Sequence, residues 1–269
     1  MQKVLVFAGI LMSFATAGHA QTEEGKPDTV RVGDMIIVKK NDPSKSGSKS
    51  GTTVTWSKNT RPKRAETSWF TVDIGFNNYR DDTEYPAPGY APGLDGSDFE
   101  LRNGKSTNVN IWLFRQKYGL DRSRVLQLTY GLMLELNNYR YEQNISYYKN
   151  PPMIAMDDVS FSKNKLAADY ITIPLMIGFN TKPGTNKGFT LSGGVSMGYL
   201  YNSRNKQVSG DRGKQKTKGN IGIEPWKFQY VGEVGLGPIK LYGSYAPHSM
   251  YKNELNIQPY NFGLRLGDW

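Results

Sequence analysis

Six charged residues in this sequence sit among small and polar neighbours at alternate positions. Asp73, Glu135 and Glu233 carry carboxylates; Lys227, Lys240 and Arg265 carry cations. Charges turned together into a space without water must pair to be tolerated. Two chemistries fit such a set: a satisfied polar core standing in for an apolar one, or a gated path for ions. If Gly237–Pro238 forms a turn, Lys240 lies diagonally across from Glu233, within side-chain reach. Other chemistries find little to work with. The chain has no cysteine, which removes disulfides, thiolate metal sites and cysteine nucleophiles together. Its two histidines are His19 and His248. His19 would leave with a secretory leader, so no histidine metal cluster is expected. Nor does any glycine loop lead from a strand into a helix to cradle phosphates. No cofactor is therefore expected. His248 has Ser244 and Ser249 nearby, the residue types of a lipid hydrolase or acyltransferase at a membrane rim. The simpler reading is a rim histidine bonded to water, and no catalytic residue is assigned.

The elements that must position these charges are strands. In "VLQLTYGLMLELNN", Leu126, Leu128, Tyr130, Leu132, Leu134 and Leu136 take the even positions, and Gln127, Thr129, Gly131, Glu135 and Asn137 take odd ones. A period of two is a strand with one apolar and one polar face. The same alternation recurs in "SWFTVDIGFNN", "YITIPLMIGFN", "FTLSGGVSMGYLYN", "WKFQYVGEVGL", "IKLYGSYA" and "YNFGLRLG". Pro174 falls on the polar parity of its strand and requires a bulge or a local gap in hydrogen bonding. "NVNIWLFRQ" is the weakest strand: Val109, Ile111 and Leu113 set its apolar face, but Trp112 and Phe114 fall on the polar one.

Eight strands result. Their polar parity is mostly Gly, Ser, Thr, Asn and Gln, which suits the crowded interior of a narrow barrel. A soluble barrel would instead expose that parity and fill it with Lys and Glu. The apolar parity then faces lipid, and mean hydropathy of −0.57 is no objection, because a transmembrane barrel needs only alternate residues apolar. Aromatic residues gather at strand ends, as bilayer interfaces favour. Phe70, Phe179, Phe189 and Trp269 would mark one belt; Tyr79, Tyr139, Tyr170, Tyr201, Trp226 and Tyr251 would mark the other. The expected fold is all-β: an eight-stranded antiparallel up-and-down transmembrane barrel over residues 67–269.

Residues 1–20 read as a signal peptide, with Lys3, an apolar stretch and "TAGHA" in that order. Residues 21–66 read as a periplasmic segment, with "TVRVGDMIIVKK" as a short strand or hairpin and then a Ser/Gly/Lys-rich linker. Connections 80–106, 142–167 and 204–224 are long, while 118–124, 181–188 and 237–238 are short; 252–257 is the one short member of the first set. That alternation is the layout of an outer-membrane barrel with long loops outside and both termini in the periplasm. The formal charge is +10, from 34 basic and 24 acidic residues. Its basic residues concentrate in connections, above all Arg204, Lys206, Arg212, Lys214, Lys216 and Lys218. Export argues against nucleic acid as the partner.

The stretches "LTYGLMLELNNYRYE", "YITIPLMIGFNT", "GFTLSGGVSMGYLYNSRNK" and "LYGSYAPHSMYKNELNIQPYNFGLRLG" resemble the PorT-like outer-membrane β-barrel family of Gram-negative bacteria. The resemblance extends over nearly all of the chain after the leader. It implies the fold closely and the activity loosely. PorT itself is linked to protein secretion, and the resemblance implies no catalytic residue. Three roles follow as alternatives. The leading one is a non-enzymatic envelope protein, monomeric, whose outer loops meet outer-membrane lipid, lipopolysaccharide or an envelope protein partner. The second is a narrow transporter or secretion accessory. The third is a lipid-modifying enzyme.

Overall fold

Alternation of apolar and polar side chains organises the whole structure, a computed structural model that describes residues 64–185 and 188–266 together with the backbone of 29–32 and 35–38. The N-terminal pieces are β1 (Thr29–Val32) and β2 (Met35–Val38), an antiparallel hairpin with Val32 opposite Met35. The expected signal peptide and most of the expected linker lie outside the described residues.

The remaining elements build the barrel and its outer parts. In chain order they are β3 (Ala65–Trp69), β4 (Val72–Asp81), β5 (Thr107–Gly119), β6 (Leu126–Arg140), β7 (Ile145–Lys149), β8 (Pro152–Met156), β9 (Lys163–Asn180), β10 (Phe189–Ser209), β11 (Gly213–Lys218), β12 (Trp226–Leu236), β13 (Ile239–Tyr245) and β14 (Ile257–Leu266). Eight of them close on themselves in the order β4-β5-β6-β9-β10-β12-β13-β14, with β14 pairing back to β4. All pairings are antiparallel, and closure leaves no barrel strand with an open edge. β3 extends the first strand along β5 on the short-turn side. Pro174 sits where the β6–β9 ladder is interrupted, between the Tyr130–Leu175 and Met133–Thr172 pairs.

The outward parity is apolar throughout the band. On β9, Ile171, Ile173, Leu175, Ile177 and Phe179 are exposed, while Thr172, Met176 and Gly178 between them are buried. Leu126–Leu136 rises roughly 33 Å at about 3.3 Å per residue, and a tilt of ~40° reduces this to about 25 Å, the height of a barrel's lipid-facing band. Tyr199, Tyr201 and Trp226 stand exposed at one margin, and Phe70, Phe179 and Phe189 at the other. Tyr139, Tyr170 and Tyr251 are buried rather than girdling the outside. Tyr139 shares its parity with Glu135, and Tyr170 shares its own with Thr172, so both point inward.

Those tyrosines belong to a second core over one mouth of the barrel. The long connections bring the β7–β8 hairpin, two short 3-10 turns and the 246–257 segment together around Tyr90, Phe99, Tyr141, Tyr147, Ile154 and Tyr251. The hydroxyls of Tyr141, Tyr147 and Tyr251 form a triangle with sides of 2.5, 2.5 and 3.2 Å. The Tyr90 hydroxyl donates to Ile221 O at 2.6 Å. Gly222 allows this close approach: its φ is +81°, and a Cβ there would lie 2.1 Å from the Tyr90 oxygen.

The lipid-facing band yields a test at Leu132, near its middle. Leu132→Arg should destabilise the barrel by about 2–4 kcal/mol in bilayers, against about 0–1 for an arginine at the band's margin. Leu132→Ala should be much milder, because lipid chains fill the space and no cavity remains. Comparison of unfolding free energies in lipid vesicles measures this. A severe Ala variant, in the ~2–5 kcal/mol range of a core cavity, would mean that Leu132 packs inside protein.

Candidate functional site

Five of the six charges singled out in the sequence meet inside the barrel. β4 and β14 place Asp73 opposite Arg265. Arg265 grips Asp73 with two nitrogens, Nε to Oδ1 at 2.6 Å and Nη2 to Oδ2 at 2.9 Å. Its remaining nitrogen donates to Glu233 Oε1 at 2.5 Å. The other Glu233 oxygen accepts from Arg115. Trp112 lies between the two arginines, with guanidinium carbons 4.9 Å (Arg265) and 5.4 Å (Arg115) from its ring centre. The Trp112 Nε1–H donates to Asp73 at 2.9 Å.

A second cluster sits toward the capped end. Lys227 Nζ donates to Glu135 at 2.6 Å and lies 4.1 Å from the centre of the Tyr170 ring. Thr172, Asn137 and Gln229 also donate to Glu135, at 3.0, 3.2 and 3.2 Å. Asn108 donates to both Asn110 and Asn137 at 3.1 Å, linking the two clusters, and Tyr242 donates to Asn108 at 2.6 Å. Three carboxylates thus pair with three cations, Arg115, Lys227 and Arg265. The space left among Asp73, Trp112, Met133, Glu135, Glu233 and Arg265 is about 30 Å³. That is room for a water molecule or two.

Lys240 is on the same inward parity, toward the short turns. It lies beside the Gly237–Pro238 turn, opposite Gly235 and Arg265 in register, while Glu233 faces Tyr242. The guanidinium partners of Glu233 are Arg115 and Arg265, and the sequence pattern had passed over Arg115. The reason is a bulge. β5 and β6 run in step from Thr107 to Trp112, opposite Met133, and then Phe114 faces Leu132, so Leu113 is an extra residue. Before it, even positions face inward and Trp112 is 2% exposed; after it, odd positions do, and Arg115 is 2% exposed. The two aromatics that spoiled this strand's alternation were the visible trace of the parity change.

The rim residues do not assemble a nucleophile. The Ser249 hydroxyl donates to Leu255 O at 2.6 Å and accepts from the amides of Tyr251 and Ile257, so it braces the loop it belongs to. His248 is exposed, on an outward groove beside Pro247.

The basic residues expected in an irregular connection lie instead on strands. β10 runs on to Ser209, and β11 returns along it in a hairpin. On this hairpin Arg204 faces Lys218 and Lys206 faces Lys216, while Arg212 occupies the turn and bonds Asp157 at 3.0 Å. The neighbouring strand adds Lys163 and Lys165 to the same face, since Lys165 is opposite Lys206. The inward parity here carries Asn164 and Gln207, which donate to the cap hairpin, and Asn205, which donates to Asn164, so the cations point away from the barrel axis. Lys165 lies beyond the apolar band, and its ammonium pKa is pushed down to about 8, by partial burial and by Lys163, Arg204 and Lys206 beside it.

Residues 60–247 match the family described as "Outer membrane protein beta-barrel domain", and the chain belongs to that family. Two crystal structures of Ail, the attachment invasion locus protein of Yersinia pestis, are similar in outline. One, in complex with the heparin analogue sucrose octasulfate, has 12% identity over 76% of this chain and 99% of that chain, with a TM-score of 0.32. The other has 11% identity over 73% and 97%, with a TM-score of 0.31. An arylphorin subunit from Calliphora vicina is 31% identical over 103 residues, which is 38% of this chain. The chain spans about 13% of the length of that curated relative.

The Arg115–Glu233–Arg265–Asp73 chain sets an order of effects. Glu233→Gln, which keeps the shape and loses the charge, should destabilise the folded barrel by on the order of 1–3 kcal/mol. Glu233→Ala, which strands both guanidinium groups, should cost about 3–5 kcal/mol. Unfolding of the purified barrel in lipid reads both. Unchanged stability would mean that the arginines do not depend on Glu233.

Proposed function

We propose that this chain is a non-enzymatic outer-membrane barrel that acts through its outer surface, with its lumen serving as a structural polar core. One observation carries the reading: the carboxylates inside are paired with cations around a cavity of about 30 Å³, while charges of one sign accumulate outside, on strands that run past the membrane. The buried tyrosine cap over one mouth supports the same view, since a solute would have to displace it. The strand and turn stretches quoted for the PorT-like group support placing the chain in that branch. In this reading the capped end and the β10–β11 hairpin face outward from the cell, and both termini, with residues 21–66, lie in the periplasm. Outer-leaflet lipid and an envelope protein are the candidate partners.

Trypsin added to intact cells should cut first near Arg212, in the exposed turn of the β10–β11 hairpin, and should spare residues 21–66. Cleavage confined to 21–66 would reverse the orientation. Purified protein in planar bilayers should show no discrete conductance steps. Steps abolished by Glu135→Gln would instead establish an ion path through the lumen.

A further inference from the structure

The outward face above the β9–β10 wall holds a lattice of cations that outnumbers the carboxylate beside it. One row crosses four strands in register: Arg140 on β6, Lys165 on β9, Lys206 on β10 and Lys216 on β11. The rows on either side add Lys163 with Lys214, and Arg204 with Lys218. Neighbouring strands lie about 4.8 Å apart, and like charges directly opposite each other destabilise a sheet. The carboxylate on this face is Asp169, which takes Arg204 at 2.6 Å. Lys165 rests on a neutral acceptor, Asn138 Oδ1, at 2.5 Å.

Lysines on an exposed strand edge often serve to block pairing with another chain. That accounts for β11, whose outer edge is open. It does not account for Lys165 and Lys206, whose strands are paired on both sides. Placement points to a ligand instead. The lattice begins just beyond Tyr199, Tyr201 and Trp226, the aromatic margin of the lipid-facing band, and so lies at headgroup depth. Below it, on β9, β10 and β12, an outward groove of about 440 Å³ is walled by Ile173, Leu175, Val195, Met197, Phe228 and Tyr230. Cations above an apolar groove on one wall match an amphiphile with several phosphates on its headgroup and hydrocarbon chains beneath.

We propose that this wall is a binding site for a multiply phosphorylated glycolipid of the outer leaflet, with the phosphates spanning Lys165, Lys206 and Lys216 and the acyl chains lying along β9 and β10. The site rests on the orientation proposed above, because such a lipid occupies the outer leaflet. A phosphate bridging two of these rows neutralises repulsion that the folded chain otherwise carries. The ammonium pKa of Lys165 is lowered first by burial and then by Lys163, Arg204 and Lys206 beside it.

The test uses the full chain folded in detergent micelles and a fluorescent bis-phosphorylated lipid A. Lipid A stripped of both phosphates, phosphatidylglycerol and inorganic phosphate serve as competitors. The parent should bind the bis-phosphorylated lipid at least about tenfold more tightly than the stripped lipid or phosphatidylglycerol. The variant Lys165→Gln/Lys206→Gln/Lys216→Gln should lose about tenfold or more, with heat-modifiable gel migration confirming that it is folded. Should that variant not fold, Lys206→Gln/Lys216→Gln, confined to the hairpin rows, should still weaken binding severalfold. Equal affinity for the stripped lipid, a folded variant that binds as the parent does, or displacement by inorganic phosphate as effective as by the lipid would each overturn the proposal. Micelle binding does not depend on sidedness. Loss of lipid specificity with trypsin cleavage still at Arg212 would sink this site alone, whereas cleavage confined to 21–66 would sink the orientation beneath it.

Discussion

A barrel of eight strands has an interior just wide enough for side chains. Everything else in this structure follows from that narrowness. A charge turned inward cannot keep a water shell, so it must find its counter-charge among the few side chains at its own level. Asp73 and Arg265 do so as a register pair, and Glu233 is reached from two strands by Arg115 and Arg265. The order Arg115–Glu233–Arg265–Asp73 alternates sign, so each inner member has an opposite charge on both sides. Asn108, Asn110 and Asn137 extend the network without adding charge. Glycines on the inward parity make room for it, as at Gly75 and Gly263, which face each other with the Tyr242 hydroxyl close by.

The barrel itself was legible in the sequence because lipid imposes a rule on every strand: the outward parity must be apolar over the full band. The rule is local, so eight stretches could be read one at a time, and closure into one antiparallel barrel followed from their even number and alternating loop lengths. The lumen was half legible. Asp73, Glu135, Lys227, Glu233 and Arg265 stood on the inward parity of regular strands. Arg115 did not, because Leu113 shifts the parity of β5 in mid-strand and a bulge has no composition of its own. Partner choice was illegible for a related reason. Glu233 and Lys240 are close in sequence across a turn, but Arg115 and Arg265 reach Glu233 from other staves of the barrel.

The outer parts were misjudged where the period-two rule outlives the membrane. Arg204–Lys218 reads as a hydrophilic connection, since its outward parity is cationic rather than apolar. Yet β10 continues through it to Ser209, and β11 pairs with it residue for residue. Tyr139 and Tyr170 looked like girdle residues by position along the chain, but their parity points them inward. The cap they help to build has its own apolar core, in which the hydroxyls of Tyr141, Tyr147 and Tyr251 satisfy one another.

Inside and outside, the same strands handle charge in opposite ways, and the contrast separates structure from recognition. β9 and β10 carry Asn164, Asn205 and Gln207 on their inner parity, each bonded to a neighbour or to the cap, as burial demands. Their outer parity, one residue away on the same backbone, carries Lys163, Lys165, Arg204 and Lys206, with Lys165 and Lys206 directly opposite each other. Of these, Arg204 pairs with Asp169 and Lys165 bonds Asn138, while all four face neither the lumen nor the apolar band. The polar interior is what the narrow lumen demands, and substitution there is expected to cost stability. The cationic exterior gathers charge of one sign beyond what Asp169 balances, and substitution of its lysines is expected to cost binding more than stability.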